Sequence, residues 1–385
     1  MHDFIPTSPI AQLDVLFDLI CVKLQLSSTA YNLAESRYKS VSAWLNDKNS
    51  SLVGYKPYIY PQGSLNLGTT TKPVGKAEYD LDFVCEFQAI KSENCLNPLL
   101  LLDLIEERLC ENETYKKMYE RLNRCIRLSY ANDFHLDILP ACPNPSSELF
   151  GKTCVLVPDS KARDWKHSNP LGFADWFRFK AREAAVSFAE KSVKPLPQQQ
   201  AYMDLAALQK VVQMMKRNRD IKLAKLPEKE RPISVVLTTL AARFYHGNPS
   251  PTVALLQVLE AIISAIADEP GERLIVLNPT NENEDLSERW ENQPELYQTF
   301  VDWIHGFRQD LQDLTEVRGL HNVEAKLKEM FGENLTKGVM AEFAEQIDIK
   351  RRNGSLAVAK GTGLIVPATV AHSTTVKPNT FHGRE

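Results

Sequence analysis

The segment Tyr79–Phe87, YDLDFVCEF, alternates with a period of two: Leu81, Phe83, Cys85 and Phe87 fall on one face, Asp80, Asp82, Val84 and Glu86 on the other. Alternation of this kind predicts a strand. One face is apolar enough to need burial, yet the opposite face projects two carboxylates side by side. Two like charges that close do not both stay ionised cheaply unless a cation holds them. A solvated edge strand also tolerates such a pair, so the rest of the chain has to separate a bland edge from a metal site.

The flanking residues favour the metal. An apolar run, PYIY, ends in Gln62-Gly63-Ser64, and a Gly/Thr/Lys/Pro-rich loop leads into the aspartate strand. Glycine permits close backbone approach to a phosphate, and Ser64 supplies a hydroxyl and a free N–H where a short helix begins. Lys72 and Lys76 add positive charge in the loop. Further on, RCIRLSY and FHLDILPA read as two strands joined by Ala131-Asn132-Asp133, a hairpin-like connection. Asp137 lies in the second with His135 on its face, while Leu136 and Ile138 point the other way. The plain role of His135 is hydrogen bonding behind the ligands. A third carboxylate beside Asp80 and Asp82 makes a two-metal site, in which ions about 3.5–4 Å apart clamp an in-line displacement at phosphorus. Hard ions that prefer oxygen, two Mg²⁺ with Mn²⁺ as the alternative, suit this set.

Length suggests two or three domains for the 385 residues. A net charge of −4 argues against a surface that grips nucleic acid throughout, though not against a local basic groove. Residues 207–231 hold eight Lys/Arg against three Asp/Glu and either line such a groove or form a solvated helix face. The seven cysteines are unspaced for metal binding and read as reduced thiols. The N-terminus shows no signal peptide, and Val253–Ala267 is too short to span a membrane, so a cytoplasmic protein is expected.

Residues 8–47 read as one long helix, and strands and helices alternate from 54 to about 175. From Gln199 on the pattern is helical: Tyr202–Asp220, Ile233–His246, Thr252–Asp268, Glu295–Arg318 and a shorter helix near Val323–Phe331. This divides the chain into residues 1–190, an N-terminal helix and catalytic core; 191–350, a helical lobe; and 351–385, a flexible tail.

Taken together, QGS, YDLDFV and FHLDILPA resemble the nucleotidyltransferase superfamily that includes DNA polymerase beta, poly(A) polymerase and oligoadenylate synthase. SNPLGFADWF, LQKVVQMMKRNRD, PISVVLTTLAA and VLNPTNENEDLSERW narrow the resemblance to the bacterial CD-NTases, relatives of cyclic GMP–AMP synthase that serve anti-phage (CBASS) defence. It spans roughly residues 10 to 345. The fold implied is α/β (α+β), a polymerase beta-like core with a mixed sheet plus a helical C-terminal lobe, braced by the N-terminal helix.

The resemblance also implies roles. Asp80 and Asp82 would hold both metals, and Asp137 the one that activates the attacking hydroxyl. Gln62, Gly63 and Ser64 would cradle the donor phosphates, and Lys210 and Ser234 would touch the triphosphate from the helical lobe. A solvated helix charge and a helix cap are the alternatives for those last two. Trp165, Trp176 and Tyr202 either stack on a base or belong to the core. The activity implied is synthesis of a cyclic di- or trinucleotide messenger from NTPs, ATP or GTP first, with release of pyrophosphate and a downstream effector reached through the product. The C-terminal HSTTVKPNTFHGRE resembles ends offered to ubiquitin-like conjugation machinery. A template-independent RNA nucleotidyltransferase and an inactive scaffold of the same fold are the alternatives; intact carboxylates at 80, 82 and 137 argue against the scaffold. No zinc insertion or strongly basic face is visible, which speaks against activation by double-stranded DNA.

Overall fold

A computed structural model describes residues 8–75, 79–91, 97–130, 134–144, 153–181, 196–197, 205–360, 365–368 and 373–376; Lys76, Cys95, Tyr202 and the end of the chain from 377 lie outside the described residues. Ser8 caps α1 (Pro9–Leu24) by accepting from Ala11 N at 3.2 Å, with proline at the first position, where its missing N–H leaves no bond unmade. The N-terminal helix expected as one is two. The backbone becomes extended at Gln25, and Ser27 caps α2 (Ser28–Leu45), accepting from Ala30 N at 3.1 Å. An N-cap residue itself takes extended backbone angles, as Ser27 does at φ −66° and ψ 153°, so a serine that caps one helix cannot lie inside a continuous one.

The sheet-bearing lobe follows as β1 (Pro57–Pro61), α3 (Gly63–Asn66), β2 (Tyr79–Phe87), α4 (Leu100–Cys110), β3 (Tyr119–Arg121), β4 (Ile126–Tyr130) and β5 (Phe134–Pro143). The strand order is β1-β2-β5-β4-β3, with β2 and β5 parallel and the other neighbours antiparallel. Leu81, Phe83, Cys85 and Phe87 are buried with α2 and α4 in one core, as their alternation requires. A hairpin that the sequence reading did not anticipate, β6 (Val155–Asp159) and β7 (Asp164–Ser168), extends from the end of β5. With Tyr60, Val84 and Ala141 it closes part of the other face. Next, α5 (Pro170–Ala181) begins where Asn169 Oδ1 accepts from Gly172 N at 3.0 Å.

The second lobe comprises α6 (Ala207–Lys222), α7 (Ser234–Phe244), α8 (Pro251–Ala267), the short strands β8 (Leu277–Asn278) and β9 (Asn281–Asp285), α9 (Arg289–Asn292), α10 (Pro294–Glu316), α11 (Leu320–Phe331) and α12 (Glu333–Arg352). Its core includes α1 and α5. The two N-terminal helices therefore brace both lobes by division: α1 belongs to the helical lobe and α2 to the sheet. Polar seams fix the lobes against each other, Arg124 to Glu288 at 2.8 Å, Lys166 to Glu288 at 2.7 Å and Ser168 to Glu284 at 3.2 Å. The last segment, expected as a flexible tail, contributes β10 (Leu356–Ala359), β11 (Ile365–Pro367) and β12 (Ser373–Thr375), paired as a small antiparallel sheet. No helix among the described residues is long and apolar enough to cross a membrane.

Candidate active site

Parallel pairing of β2 with β5 sets Asp82 directly opposite Asp137, with Asp80 opposite His135. Because side chains alternate along both strands, the three carboxylates emerge on the same face of the sheet, against the apolar core on the other. β4 then places Arg127 opposite Asp137 from the far side. Its guanidinium donates from Nε to Oδ1 and from Nη2 to Oδ2, each at 2.7 Å, and lies 3.9 Å from Asp80 Oδ1.

The Gln62-Gly63-Ser64 turn meets this cluster where β1 ends. Gln62 N donates to the Asp82 carbonyl at 2.9 Å. Gly63 has φ +67°, and a Cβ built there would lie 2.3 Å from Asp82 Oδ2. Both the backbone angle and the space for the carboxylate require glycine. Ser64 is folded into the same turn: its carbonyl accepts from Thr69 N at 2.9 Å, and its hydroxyl accepts from Thr70 Oγ1 at 3.3 Å.

The helical lobe holds this turn through its backbone. Gln209 Nε2 donates to the Leu67 carbonyl and Gln213 Nε2 to that of Thr70, both at 3.0 Å, and Lys216 Nζ to that of Thr69 at 3.2 Å. Arg178 Nη2 donates to Asn66 Oδ1 at 2.7 Å from α5. One face of α6 thus carries the link between the lobes. Lys210 stands off that face, 2.8 Å from Asp18 on α1. The structure therefore turns the lysine named from the resemblance toward an ion pair between helices and puts Lys216 at the turn that follows Gly63. Ser234, the first residue of α7, has its hydroxyl bonded by Arg219 Nη1 at 3.0 Å. Arg219 in turn lies within electrostatic reach of Lys216.

The charges are strained in the direction a cation would relieve. Burial, then the charges of Asp137 and Asp80, push Asp82 up to about 7, against the pull of Arg127 and Lys216. Partial desolvation and Asp137 also raise Asp80, though its side chain stays 55% exposed, with Arg127 opposing. Burial pushes the Lys216 ammonium down to about 7. An all-oxygen donor set carrying excess negative charge fits hard divalent ions. Among the described residues, however, no three such groups are gathered into a ready metal cage. Arg127, held on Asp137, supplies positive charge there instead. A cavity of about 250 Å³ adjoins Asp80, lined in part by Leu26, Ala30, Leu65, Thr70 and Phe134, so the cluster has an apolar flank.

Of the aromatic candidates, Trp165 packs on the sheet core and Trp176 on the helical core, its ring 5.5 Å from Phe173; Tyr202 lies outside the described residues. Lys216, Gln213 and Arg127 reach the site although no motif in the sequence singles them out. A lysine and two glutamines at helical spacing on α6 were the signal for one interacting face, but which face meets the turn is decided by docking.

The chain is similar to known proteins in three comparisons. The Second Messenger Oligonucleotide or Dinucleotide Synthetase domain matches residues 12–180. The chain is 34% identical to the c-di-GMP synthase of Roseivirga ehrenbergii over 365 residues, covering 93% of this chain and 94% of that protein. It is 27% identical to the cyclic dinucleotide synthase CdnG of Bradyrhizobium diazoefficiens, covering 95% and 92%. The solved structure of that CdnG in complex with GTP shares the fold, with a TM-score of 0.69 at 24% identity over 86% of this chain and 99% of the other.

Proposed function

The chain belongs to the bacterial CD-NTase family of nucleotidyltransferases, and on that premise we propose that it joins two molecules of GTP into the cyclic dinucleotide c-di-GMP. Guanine is suggested by the c-di-GMP synthase that shares 34% of its residues. The observation that carries the reading is the register: Asp82 stands opposite Asp137, and Gly63 leaves just the space that Asp82 occupies. Three carboxylates on one face of the sheet beside the Gly63 turn support a site for in-line nucleotidyl transfer.

Asp80, Asp82 and Asp137 would hold two Mg²⁺, or Mn²⁺, and the bound ions would supply a lowered pKa for the attacking ribose hydroxyl and charge for the departing pyrophosphate. The chain's own residues do the rest. The Gly63–Ser64 turn offers the donor triphosphate backbone N–H groups and a hydroxyl. Gln209, Gln213 and Lys216 keep the turn rigid by holding its carbonyls, so the nucleotide meets a preorganised cradle. The linear intermediate re-enters with its own free hydroxyl as acceptor, and the second transfer closes the ring.

The product serves, in this reading, as a second messenger of anti-phage defence, read by a downstream effector. The end of the chain, outside the described residues, would be offered to conjugation machinery; an unmodified C-terminus in protein expressed with its neighbouring genes removes that part. The function is tested by incubating the protein with each NTP and Mg²⁺, treating with phosphatase and weighing the resistant product. A cyclic dinucleotide made from GTP supports the reading. Elongation of added RNA, with no cyclic product, replaces it with a tailing enzyme.

A further inference from the structure

Arg127 holds a place that nucleotidyl transfer, as described, does not use. Its planar fork takes both oxygens of Asp137, each at 2.7 Å, while its edge approaches Asp80 to 3.9 Å. The pair is recessed, with side chains 27% and 14% exposed, so water screens it weakly. A guanidinium stays charged at any working pH and donates only. An ion on Asp137 has to lie about 2.0–2.1 Å from one of the same oxygens, which sets two cations against each other across one carboxylate. Arg127 therefore occupies one lone pair of each Asp137 oxygen, and its charge opposes an ion at the lone pairs that remain. Phosphate is the substrate group best able to draw it away, because its oxygens match the same fork that now grips the carboxylate.

We propose that Arg127 is a positioning residue that keeps the metal's seat at Asp137: it holds the carboxylate aligned in the nucleotide-free enzyme, opposes ion binding there, and transfers to a nucleotide phosphate when substrate arrives. The strand pairing builds this in, since the register of β4 on β5 puts Arg127 opposite Asp137. Site assembly is thereby coupled to substrate, and a cation bound without nucleotide is disfavoured. The inference rests on the reading of Asp80, Asp82 and Asp137 as metal ligands.

The test is titration of the full-length protein with Mn²⁺, followed by the paramagnetic signal of the free ion, with and without GTP. Without GTP, Arg127→Gln is expected to bind Mn²⁺ about ten-fold tighter than wild type, the scale of one strong charge pair. Adding Asp137→Asn to that variant should remove the gain. With GTP present, the gap between wild type and Arg127→Gln should narrow. Equal or weaker nucleotide-free binding by folded Arg127→Gln overturns the proposal. Should that variant not fold, Arg127→Met decides: it removes the charge and the fork together, a tighter nucleotide-free affinity supports the idea, and an equal or weaker one overturns it. If Asp80→Asn/Asp82→Asn and Asp137→Asn proteins bind Mn²⁺ as wild type does, the metal reading itself fails, and Arg127 with it.

Discussion

Gly63 and Asp82 fit against one another so closely that a single methyl group at the first would lie 2.3 Å from a carboxylate oxygen of the second. Gly63→Ala therefore has to push Asp82 aside and also adopt a φ of +67°, which costs a side-chain residue about 1–2 kcal/mol. The protein should still fold, with a modest fall in melting temperature. Its turnover should drop about 100-fold, the usual result of misplacing a reacting group by about 1 Å. Near-normal turnover in Gly63→Ala would mean that Asp82 is not held by this contact.

Two lysines six residues apart on α6 separate a structural charge from a site charge. Lys210 pairs with Asp18, which is partly exposed, so Lys210→Met should cost about 1 kcal/mol of stability and leave KM for GTP unchanged. Lys216 holds the Thr69 carbonyl beside Asp82, so Lys216→Met should raise KM about ten-fold through the loosened phosphate turn. Steady-state kinetics and thermal melts on both variants check the contrast. The reverse pattern would return the phosphate role to Lys210.

Asp82 and Lys216 give the metal-free protein a pH signature. Asp82 is raised from 3.8 to about 7, so between those values the folded state keeps a proton that the unfolded chain has lost, and stability falls as pH rises. Lys216 is lowered from 10.5 to about 7, so above 7 the unfolded chain holds the proton that the folded state has released, and stability rises with pH. Their combined contribution has its minimum near pH 7. Melting curves in EDTA from pH 5 to 9 should show Asp82→Asn making the acid limb shallower and Lys216→Met the alkaline one. Glu284, half-buried and raised to about 7, adds to the acid limb and keeps it from vanishing. Limbs unchanged in both variants would contradict these charge assignments.

Much of this architecture is legible in the residues because it follows local rules. Tyr79–Phe87 alternates cleanly and forms β2 over those same residues. Ser27 was a readable break in the N-terminal run, although apolar spacing continued through it. The β6–β7 hairpin was not legible, because Pro158 and the charges of SKARDWK interrupt its alternation, and its pairing depends on the end of β5. β9, NENED, is almost wholly polar and is ordered by Arg273 and Asn278 rather than by burial of its own face. At the site, the aspartates announced themselves as charges in apolar strands. Arg127 and Lys216 did not, since an arginine in a strand and a lysine on a helix are ordinary until register and docking give them partners.

The central claim is that Asp80, Asp82 and Asp137 form one nucleotidyl-transfer site, and the most direct measurement is mass spectrometry of the phosphatase-resistant product. GTP and Mg²⁺ are incubated with wild type and with Asp80→Asn/Asp82→Asn. The wild type should yield a cyclic dinucleotide. The double variant should yield none, while its circular dichroism stays native and its metal-free melting temperature is equal or higher, since two crowded carboxylates are gone. Cyclic product at the wild-type rate from the folded double variant would contradict the account.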